Sequence, residues 1–222
     1  MPLVTHGPLR VVAVATPYAW EVVESARRAG LQVECVDNHG GADANLPGLR
    51  ALDEVADLES PWTLGLSSAI HRGRAAHALA SAGFGPPVSL LDPTSIVGST
   101  AELGHGVYVN AGTVIGAHVR LGCHAHVNRS ASIGHDCDLG FASSIGPGAV
   151  LTGHVQVGPS AFVGAGAVVL PGVRVGAGAV VGAGSVVTRD VPESVVCAGS
   201  PARPLRDQDE EVRTACPHCS TA

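Results

Sequence analysis

Aromatic side chains are scarce in this chain of 222 residues, since Phe, Trp and Tyr together make up only 3% of it. Globular cores usually obtain much of their buried area from aromatic rings. Yet hydrophobic residues make up 45% of the chain, and glycine occurs 29 times. These figures predict a core that is too narrow for rings, which is typical of a repeat architecture.

The chain also lacks the features of several functional classes. It carries 13 basic and 19 acidic side chains, a net charge of −6 without basic runs, and this argues against nucleic acid and anionic membranes as partners. It has no apolar stretch of roughly 18 residues that could span a membrane, and its amino terminus does not resemble a signal peptide. Six cysteines are too few for a disulfide framework, so a cytoplasmic location is predicted.

What the chain does contain is a six-residue repeat. Sixteen branched aliphatic residues follow one another at steps of six from Val97 to Val187, and Leu91 extends the series backwards. The residue four places after each aliphatic is never larger than Val. The residue directly after it is Gly in eleven cases and Asn in two, and we interpret these as residues that tolerate the left-handed backbone of a sharp turn.

This repeat predicts a left-handed parallel β-helix, an exception to the right-handed crossover rule. Each step supplies a short strand and a corner, and three steps close a triangular coil whose strands stack about 4.8 Å from those of the next coil. A stack of ordinary hairpins is the weaker alternative. Because no insertion interrupts the repeat between Leu91 and Val191, any catalytic side chain is expected on a corner.

The two ends of the chain have a different character, and three regions are predicted: 1–90, 91–199 and 200–222. In the first, strands at LRVVAVA, LQVECVDN and WTLGL alternate with helices at AWEVVESARRAG and IHRGRAAHALASAG, with a weaker helix near LRALDEVADL. This alternation predicts an α/β leader domain, a small Rossmann-like parallel sheet that binds the acceptor. The last region is a polar tail with a short helix predicted over DEEVRTA.

Several segments carry a resemblance to a known family. They are SLLDPTSIV at the entry to the β-helix, NRSASIGHD in its middle, VGAGAVVLPGVRVGAGAVVGAGSVVTRDV near its end, and GSPAR at its exit. With these segments the chain resembles the sialic acid O-acetyltransferase family of hexapeptide-repeat acyltransferases, which includes the UDP-amino-sugar N-acetyltransferases of bacterial glycan synthesis. The resemblance implies an acetyl-CoA-dependent O- or N-acetyltransferase acting on a sugar-like acceptor. It also implies a homotrimer with acetyl-CoA in the groove between neighbouring β-helices, and no metal.

The same resemblance assigns the site residues. In SASIGHD it places the general base on His135 and its acidic partner on Asp136. The backbone N–H that would bind the oxyanion falls on Gly153. The positions expected to contact the CoA arm are Ser144, Ala165 and Ala183. Some relatives have His at the position of Ser144, so its side-chain contact with CoA is expected to be lost or altered.

The chemistry of the residues supports this assignment independently of the family. Transfer of an acyl group from a thioester needs a base that takes the acceptor's proton, and imidazole side chains titrate near neutral pH. His135 lies two residues after an inward aliphatic, hence on a corner facing outward. Gly153 follows it by eighteen residues, one coil on, so that base and backbone donor meet at one reacting centre.

The acceptor is expected at the carboxyl edge of the leader sheet, where Thr16, Asp37 and Ser67 follow its three strands. The family usually has a glycine-rich turn after the first strand that lets a nucleotide phosphate approach backbone N–H groups. Here that turn is ATPYAW, and Pro17 offers neither a small side chain nor an N–H. The sequence therefore predicts weak binding of a UDP-sugar.

Two other functional classes remain open. One is a scaffold or sugar-binding module without catalysis. The other is a zinc enzyme of the γ-carbonic-anhydrase type, because His118, Asp136 and His154 share a column. Against this, the further histidine expected about five residues later is Pro159. Cys216 and Cys219 form a CxxC, but no second pair completes a zinc site in the sequence, so they are interpreted as part of the tail.

Overall fold

The computed structural model describes residues 7–13 and 15–219. Val14, part of the predicted first strand, and the outer ends of the first and last predicted regions lie outside the described residues. Among the described residues, no helix has both the length and the apolar character that crossing a membrane requires.

The first part of the chain forms a four-stranded parallel sheet with two helices. Its elements are β1 (Leu9–Val12), α1 (Ala19–Arg28), β2 (Val33–Asp37), β3 (Arg50–Ala51), β4 (Trp62–Leu64) and α2 (Ala69–Ser81). The strand order is β3-β2-β1-β4, and Val11 pairs with Cys35 on one side and Thr63 on the other. The Rossmann-like leader is confirmed, because β1 is buried throughout and α1 packs an apolar stripe against it. The weak helix near LRALDEVADL is wrong: β3 and a 3-10 turn at Leu52–Glu54 occupy that segment.

The rest of the chain is a left-handed parallel β-helix, as the six-residue repeat predicts. Seventeen two-residue strands follow one another at six-residue intervals without interruption. They are β5 (Leu90–Leu91), β6 (Ile96–Val97), β7 (Glu102–Leu103), β8 (Tyr108–Val109), β9 (Val114–Ile115), β10 (Arg120–Leu121), β11 (His126–Val127), β12 (Ser132–Ile133), β13 (Asp138–Leu139), β14 (Ser144–Ile145), β15 (Val150–Leu151), β16 (Gln156–Val157), β17 (Phe162–Val163), β18 (Val168–Val169), β19 (Arg174–Val175), β20 (Val180–Val181) and β21 (Val186–Val187).

Strands that are one coil apart pair in parallel, as in Leu121 with Leu139, and they form three flat sheets. The second residue of each strand points inward, and the buried interior contains Val, Ile, Leu, Ala and Cys137 but no aromatic ring among the described residues. The narrow core inferred from the scarcity of aromatics is therefore confirmed. The rings of Tyr108 and Phe141 are buried outside the coil, against the leader.

The glycines that follow the inward aliphatics have a different role from the one predicted. Left-handed backbone occurs two residues later, for example at His118 (φ 58°), Asp136 (φ 57°) and His154 (φ 60°). The glycines are needed because the coils stack closely at the corners. A Cβ at Gly134 would lie 2.6 Å from the carbonyl carbon of Thr152, and one at Gly164 would lie 2.6 Å from the backbone nitrogen of Ala183.

The three sheets present three chemically different faces. The charged face (β7, β10, β13, β16, β19) exposes Glu102, Arg120, Asp138, Gln156 and Arg174. The apolar face (β6, β9, β12, β15, β18, β21) directs outward Ile96, Val114, Ser132, Val150, Val168 and Val186. The leader face (β5, β8, β11, β14, β17, β20) is covered by the leader and is largely buried.

A buried polar network attaches α1 to the first coils of the leader face. The Asp92 carboxylate accepts hydrogen bonds from Ser25 Oγ at 2.7 Å and from Arg28 Nε at 2.8 Å, and Ser25 Oγ lies 2.7 Å from the Tyr108 hydroxyl. Burial alone would raise the pKa of Asp92, but these donors and Thr94 outweigh it and lower that pKa to about 2. The leader is thus fixed on the β-helix by charge-assisted hydrogen bonds.

The chain ends in a hairpin and an irregular segment. Strand β22 (Val195–Gly199) continues the leader face beside β20, and β23 (Ala202–Asp207) pairs with it antiparallel. The short helix expected over DEEVRTA is wrong, because residues 208–219 contain no helix and run back along α2. Contacts with the leader and the β-helix, rather than helical hydrogen bonds, hold this part of the tail.

Candidate active site

The residues predicted to be catalytic meet at the corner between the apolar and charged faces, which we call the apolar–charged corner. It contains residues 134–137 after β12 and residues 152–155 after β15, one coil on. His135 is the second residue of its turn, and 60% of its side chain is exposed. The structure therefore brings His135, Asp136 and Gly153 together, in the arrangement that the eighteen-residue spacing predicts.

Hydrogen bonding orients the His135 ring. Its Nδ1 donates to Asp136 Oδ2 at 2.7 Å, because a carboxylate can only accept. This hydrogen bond from His135 lowers the pKa of Asp136, so the carboxylate is ionised at neutral pH. The Nε2 atom is left with a free lone pair, which is the arrangement that a general base needs.

His154 lies beside this pair, because it occupies the position one coil after Asp136. Its ring meets that of His135 edge to face with centroids 5.0 Å apart, and its Nε2 lies 3.9 Å from Asp136 Oδ2. The ligand atoms of His135, Asp136 and His154 lie within 4.8 Å of one another, so they could hold a metal ion. All three side chains are exposed.

Gly153 lies next to the His135 ring, one coil further on. A Cβ at this position would lie 2.6 Å from His135 Nε2, so only glycine leaves room for the ring in its present orientation. The Gly153 N–H makes no backbone hydrogen bond to any described residue, whereas the neighbouring His154 N–H donates to His135 O at 2.9 Å. The Gly153 N–H is thus available to a ligand directly beside the proposed base.

We expect Gly153→Ala to lower activity with little effect on stability. The new methyl group would displace the exposed end of His135 rather than the backbone, so the fold loses little packing. A displacement of about 1 Å at a reacting group can reduce the rate on the order of 100-fold. Steady-state kinetics and thermal unfolding of the variant would test this.

Gly148→Ala is not a suitable control for that substitution, because Gly148 has a positive φ of 64°. Ala177→Gly, at the equivalent position of a different corner, changes a side chain by one methyl group away from His135. Normal activity of Gly153→Ala would contradict the geometry described for Gly153.

The positions expected to contact the CoA arm are divided between two places. Ala165 and Ala183 stack at the corner between the leader and apolar faces, which we call the leader–apolar corner, and Gly184 N donates to Ala165 O at 2.8 Å. They lie at the other edge of the apolar face from His135. Ser144 lies on the leader face, is buried, and accepts a hydrogen bond from Arg72 at 2.7 Å.

Two of the three residues expected to bind the acceptor line one cavity. Thr16 and Ser67 lie at the carboxyl edge of the leader sheet, in a cavity of about 500 Å³ together with His71 and Arg74 of α2. Asp37 is turned to its own loop, where its carboxylate accepts backbone N–H groups of His39, Gly40 and Ala42. Asn38 and His39 take the corresponding positions in the cavity wall.

A second cavity of about 410 Å³ continues from the first, and Ser67 lines both. It runs between the leader and the β-helix to the leader–apolar corner, where Arg129 and Pro147 form its rim. Tyr18 and His126 line it, and the Tyr18 hydroxyl lies 2.6 Å from His126 Nε2. Burial lowers the pKa of His126 well below its usual value, so this imidazole is neutral. Its Nδ1 faces Arg72 at 3.5 Å and can only accept there, so its Nε2 donates to the Tyr18 hydroxyl.

Sequence reasoning missed a buried residue, Arg72, that links the leader to the β-helix. Arg72 is buried in α2, and its guanidinium donates to the carbonyl oxygens of Leu66, Ser67, His124, Ala142 and Ser143 and to Ser144 Oγ. Burial lowers the pKa of Arg72 to about 10, which keeps it charged at neutral pH. Its position in a helix gives no sign of this role, because its acceptors come from three separate segments of the chain.

Comparison with known proteins agrees with this architecture. The family described as bacterial transferase hexapeptide (six repeats) matches residues 154–189. No curated protein sequence matches the chain at a significant level.

Several solved structures are similar over almost the whole chain. One is a histidine-to-alanine mutant of GDP-perosamine N-acetyltransferase from Caulobacter crescentus in complex with CoA and GDP-perosamine, with 33% identity, a TM-score of 0.82, and coverage of 91% of this chain and 98% of that one. Another is the acetyltransferase domain of PglB from Neisseria gonorrhoeae with acetyl coenzyme A, at 29% identity and a TM-score of 0.81, covering 90% of this chain and 100% of that one. WeeI from Acinetobacter baumannii has 25% identity and a TM-score of 0.80, covering 89% of this chain and 99% of that one.

The similar solved structures are acetyltransferases with CoA or acetyl-CoA bound, so the chain is an acyltransferase and acetyl-CoA is its donor. The chain belongs to the hexapeptide-repeat family of sugar acyltransferases, as the sequence motifs indicate.

Proposed function

We propose that this acetyltransferase acylates the amino group of a nucleotide-linked amino sugar, with His135 as general base. The observation that carries the proposal is the position of His135 Nε2, which lies 2.6 Å from where a Cβ on Gly153 would be, so that a histidine nitrogen and an open backbone N–H are close together. His135 Nε2 would take a proton from the attacking amine, and the Gly153 N–H would stabilise the oxyanion of the tetrahedral intermediate. His135 would then return the proton to the departing CoA sulfur.

The uncovered apolar face supports a homotrimer. The side chains of Ile96, Val114 and Val150 there are 66%, 42% and 37% exposed, and Val168 and Val186 continue the same row. An exposed and mainly apolar row of this kind, in which Ser132 is the polar member, usually marks a protein interface. Each protomer carries the apolar–charged corner at one edge of this face and the leader–apolar corner at the other. In a closed ring, these opposite edges of neighbouring subunits meet.

This arrangement would complete the active site between subunits. His135 of one protomer would face the leader–apolar corner of the next, where Ala165 and Ala183 present small side chains to the CoA arm. The second cavity opens at that same corner, beside Arg129 and Pro147. A sugar leaving that cavity would therefore reach the base of the neighbouring subunit.

The two connected cavities support a nucleotide-linked acceptor. The first lies at the carboxyl edge of a parallel sheet, the usual position for nucleotides in such folds. Arg74 and His71 line it, and Arg129 stands at the rim of the second cavity. The two arginines, which are paired with Glu210 and Glu21 in this structure, would exchange these partners for phosphates. This departs from the sequence expectation, which rested on the ATPYAW turn, where Pro17 offers neither a small side chain nor an N–H. The neighbouring N-acetyltransferase from Caulobacter crescentus binds GDP-perosamine.

We place the enzyme in the cytoplasm, because the six cysteines are free thiols in the described structure.

An acetyl-transfer assay tests the function directly. The purified protein, acetyl-CoA and a panel of 4-amino sugars would be mixed, each sugar supplied free and as its GDP, UDP and dTDP forms. We expect release of CoA thiol and an acetylated product with at least one nucleotide form, at a higher kcat/KM than with the free sugar. A preference for the free sugar would overturn the nucleotide proposal. Bound acetyl-CoA without thiol release for any acceptor would favour the non-catalytic scaffold.

We expect Val150→Arg to dissociate the trimer. The substitution places a charge in the middle of the apolar face, where three subunits would have to bury it, and burial of an unpaired charge is strongly unfavourable. Sedimentation velocity at micromolar concentration should show trimer for the unmodified chain and monomer for the variant, with activity lost in parallel. Gln156→Arg, on the charged face one step along the coil, should remain trimeric. Wild-type protein that sediments as a monomer would contradict the intersubunit site.

A further inference from the structure

The third corner of the β-helix, between the charged and leader faces, carries a cluster that acetyl transfer does not use. His105 and Cys123 lie there eighteen residues apart, on successive coils, and His105 N donates to Cys123 Sγ at 3.4 Å. The tail returns to the same corner and places Cys216 and Cys219 against them. The four ligand atoms of His105, Cys123, Cys216 and Cys219 all lie within 4.8 Å of one another.

The distances within the cluster fit a tetrahedral centre. Cys123 Sγ lies 3.4 Å from Cys219 Sγ, and each of these sulfur atoms lies 3.9 Å from His105 Nδ1. Zinc–sulfur bonds of about 2.3 Å and zinc–nitrogen bonds of about 2.0 Å in tetrahedral geometry separate the ligand atoms by roughly 3.5–3.8 Å. The four side chains therefore surround a space of the size that a zinc ion requires.

We propose that His105, Cys123, Cys216 and Cys219 bind one Zn²⁺ ion that fastens the carboxyl-terminal tail to the β-helix. Three cysteines and one histidine form a closed set of four protein ligands, which is typical of structural rather than catalytic zinc. The ion would come from solution, and the cysteine thiols would release their protons to solvent as the sulfur–zinc bonds form. The step involves no oxidation or reduction.

The surroundings explain what such an ion would stabilise. Residues 208–219 contain no helix or strand, and individual hydrogen bonds hold them to the rest of the chain. His77 Nε2 donates to Ala215 O at 3.0 Å, Ser160 Oγ to Arg213 O at 2.8 Å, and His218 Nε2 to Phe84 O at 3.0 Å. These contacts hold the tail against both the leader and the β-helix, and a zinc ion here would add a direct link between the tail and the β-helix.

His218, inside the CxxC, is not a ligand in this arrangement. Its Nε2 is engaged with Phe84 O, and its Nδ1 is buried. The other two ligands are His105 and Cys123, which lie more than ninety residues earlier in the chain. No pattern in the sequence connects them with the CxxC. Zinc binding at this corner is independent of acetyl transfer, because His135 lies at a different corner.

A disulfide is the competing use of these cysteines. The separation of 3.4 Å between Cys123 Sγ and Cys219 Sγ is well beyond the roughly 2.05 Å of a sulfur–sulfur bond, so the two are free thiols here. The intact mass under denaturing, non-reducing conditions distinguishes the two states, since a disulfide removes two hydrogen atoms.

Metal analysis of the full-length protein tests the proposal. Protein purified without chelator, or reduced and titrated with Zn²⁺ alone, should contain about one zinc per chain. Substitution with Co²⁺ should give the intense visible absorption of a tetrahedral site together with sulfur-to-cobalt charge transfer, which the histidines and Asp136 of the other cluster cannot produce. Removal of zinc by a strong chelator should lower Tm by about 5 °C or more.

Variants locate the ion. Cys219→Ser changes an exposed side chain, so it should fold normally, lose the zinc and the charge-transfer band, and have a Tm that no longer responds to chelator. Cys197→Ala, a buried cysteine outside the cluster, should retain one zinc and the response to chelator. Three results would each overturn the proposal. They are full zinc content in Cys219→Ser, failure of the reduced wild-type protein to bind Zn²⁺ or Co²⁺ at micromolar concentration, and a native disulfide between these cysteines.

Discussion

Replacing His135 with alanine is expected to lower the rate of acetyl transfer by about 10²–10⁴-fold, the usual contribution of a positioned general base. The side chain is 60% exposed and its ring packs only against Gly153, Asp136 and His154, so its removal should leave Tm nearly unchanged. Acetyl-CoA should still bind, because Ala165 and Ala183 lie at another corner. The measurements are steady-state kinetics, calorimetric binding of acetyl-CoA, and thermal unfolding.

Asp136→Asn and His154→Ala are the matched comparisons. Asp136 orients the imidazole and does not touch the acceptor in the proposed mechanism, so Asp136→Asn should cost less activity than His135→Ala. His154→Ala should cost least, because its Nε2 is 3.9 Å from Asp136. If His135→Ala kept most of its activity while acetyl-CoA binding was verified, the base would have to be another residue, with His118 and His154 the next to test.

Replacing Arg72 with leucine is expected to cause the largest loss of stability. The guanidinium is fully surrounded by protein and donates to five carbonyl oxygens and one hydroxyl, which come from the leader and from two coils of the β-helix. Leucine would leave the carbonyl oxygens of Leu66, His124 and Ala142 without donors, at a cost of about 1–3 kcal/mol for each that stays unpaired. We expect at least about 3 kcal/mol in total, equivalent to a fall in Tm of roughly 6–12 °C.

Arg74→Leu, two residues further along α2, is the control. It also removes a positive charge, so it separates the loss of buried hydrogen bonds from the loss of charge. Arg74 is partly exposed and contacts Glu210 of the tail at 3.3 Å, so its replacement should change Tm by little. Thermal unfolding of both variants under identical buffer conditions would suffice. Equal Tm values for Arg72→Leu and the wild type would show that water or rearranged side chains satisfy those carbonyl groups.

The β-helix and its register could be predicted from the sequence because the fold is a stack of equivalent coils. A strict period of six residues determines which side chain points inward and which residues share a column, so the proximity of His135 and Gly153 follows from a separation of eighteen positions. The Rossmann-like leader followed from alternating strands and helices. Both inferences use only local pattern and stacking.

Contacts between distant segments could not be predicted in this way. Cys123 and Cys219 are 96 residues apart, and no period relates them, because the tail lies outside the repeat. Arg72 looks like an ordinary polar residue of a helix until its acceptors from the β-helix are known. The role of the glycines after the aliphatics was also misjudged, because the clearance between coils depends on the stacking distance rather than on the local turn.

The three faces of the β-helix also determine how the chain can accumulate substitutions. The tolerance of each position to substitution should vary along the sequence with two periods. The period is six residues for the inward aliphatics and eighteen residues for the outward positions. Within each coil, the outward residue of the charged face is free to change sign. Its counterpart on the apolar face should reject charge, and its counterpart on the leader face should change only together with a residue of the leader. In a saturation mutagenesis experiment, the tolerance to substitution should therefore repeat every six and every eighteen residues, and these two periods would reveal the geometry of the coil.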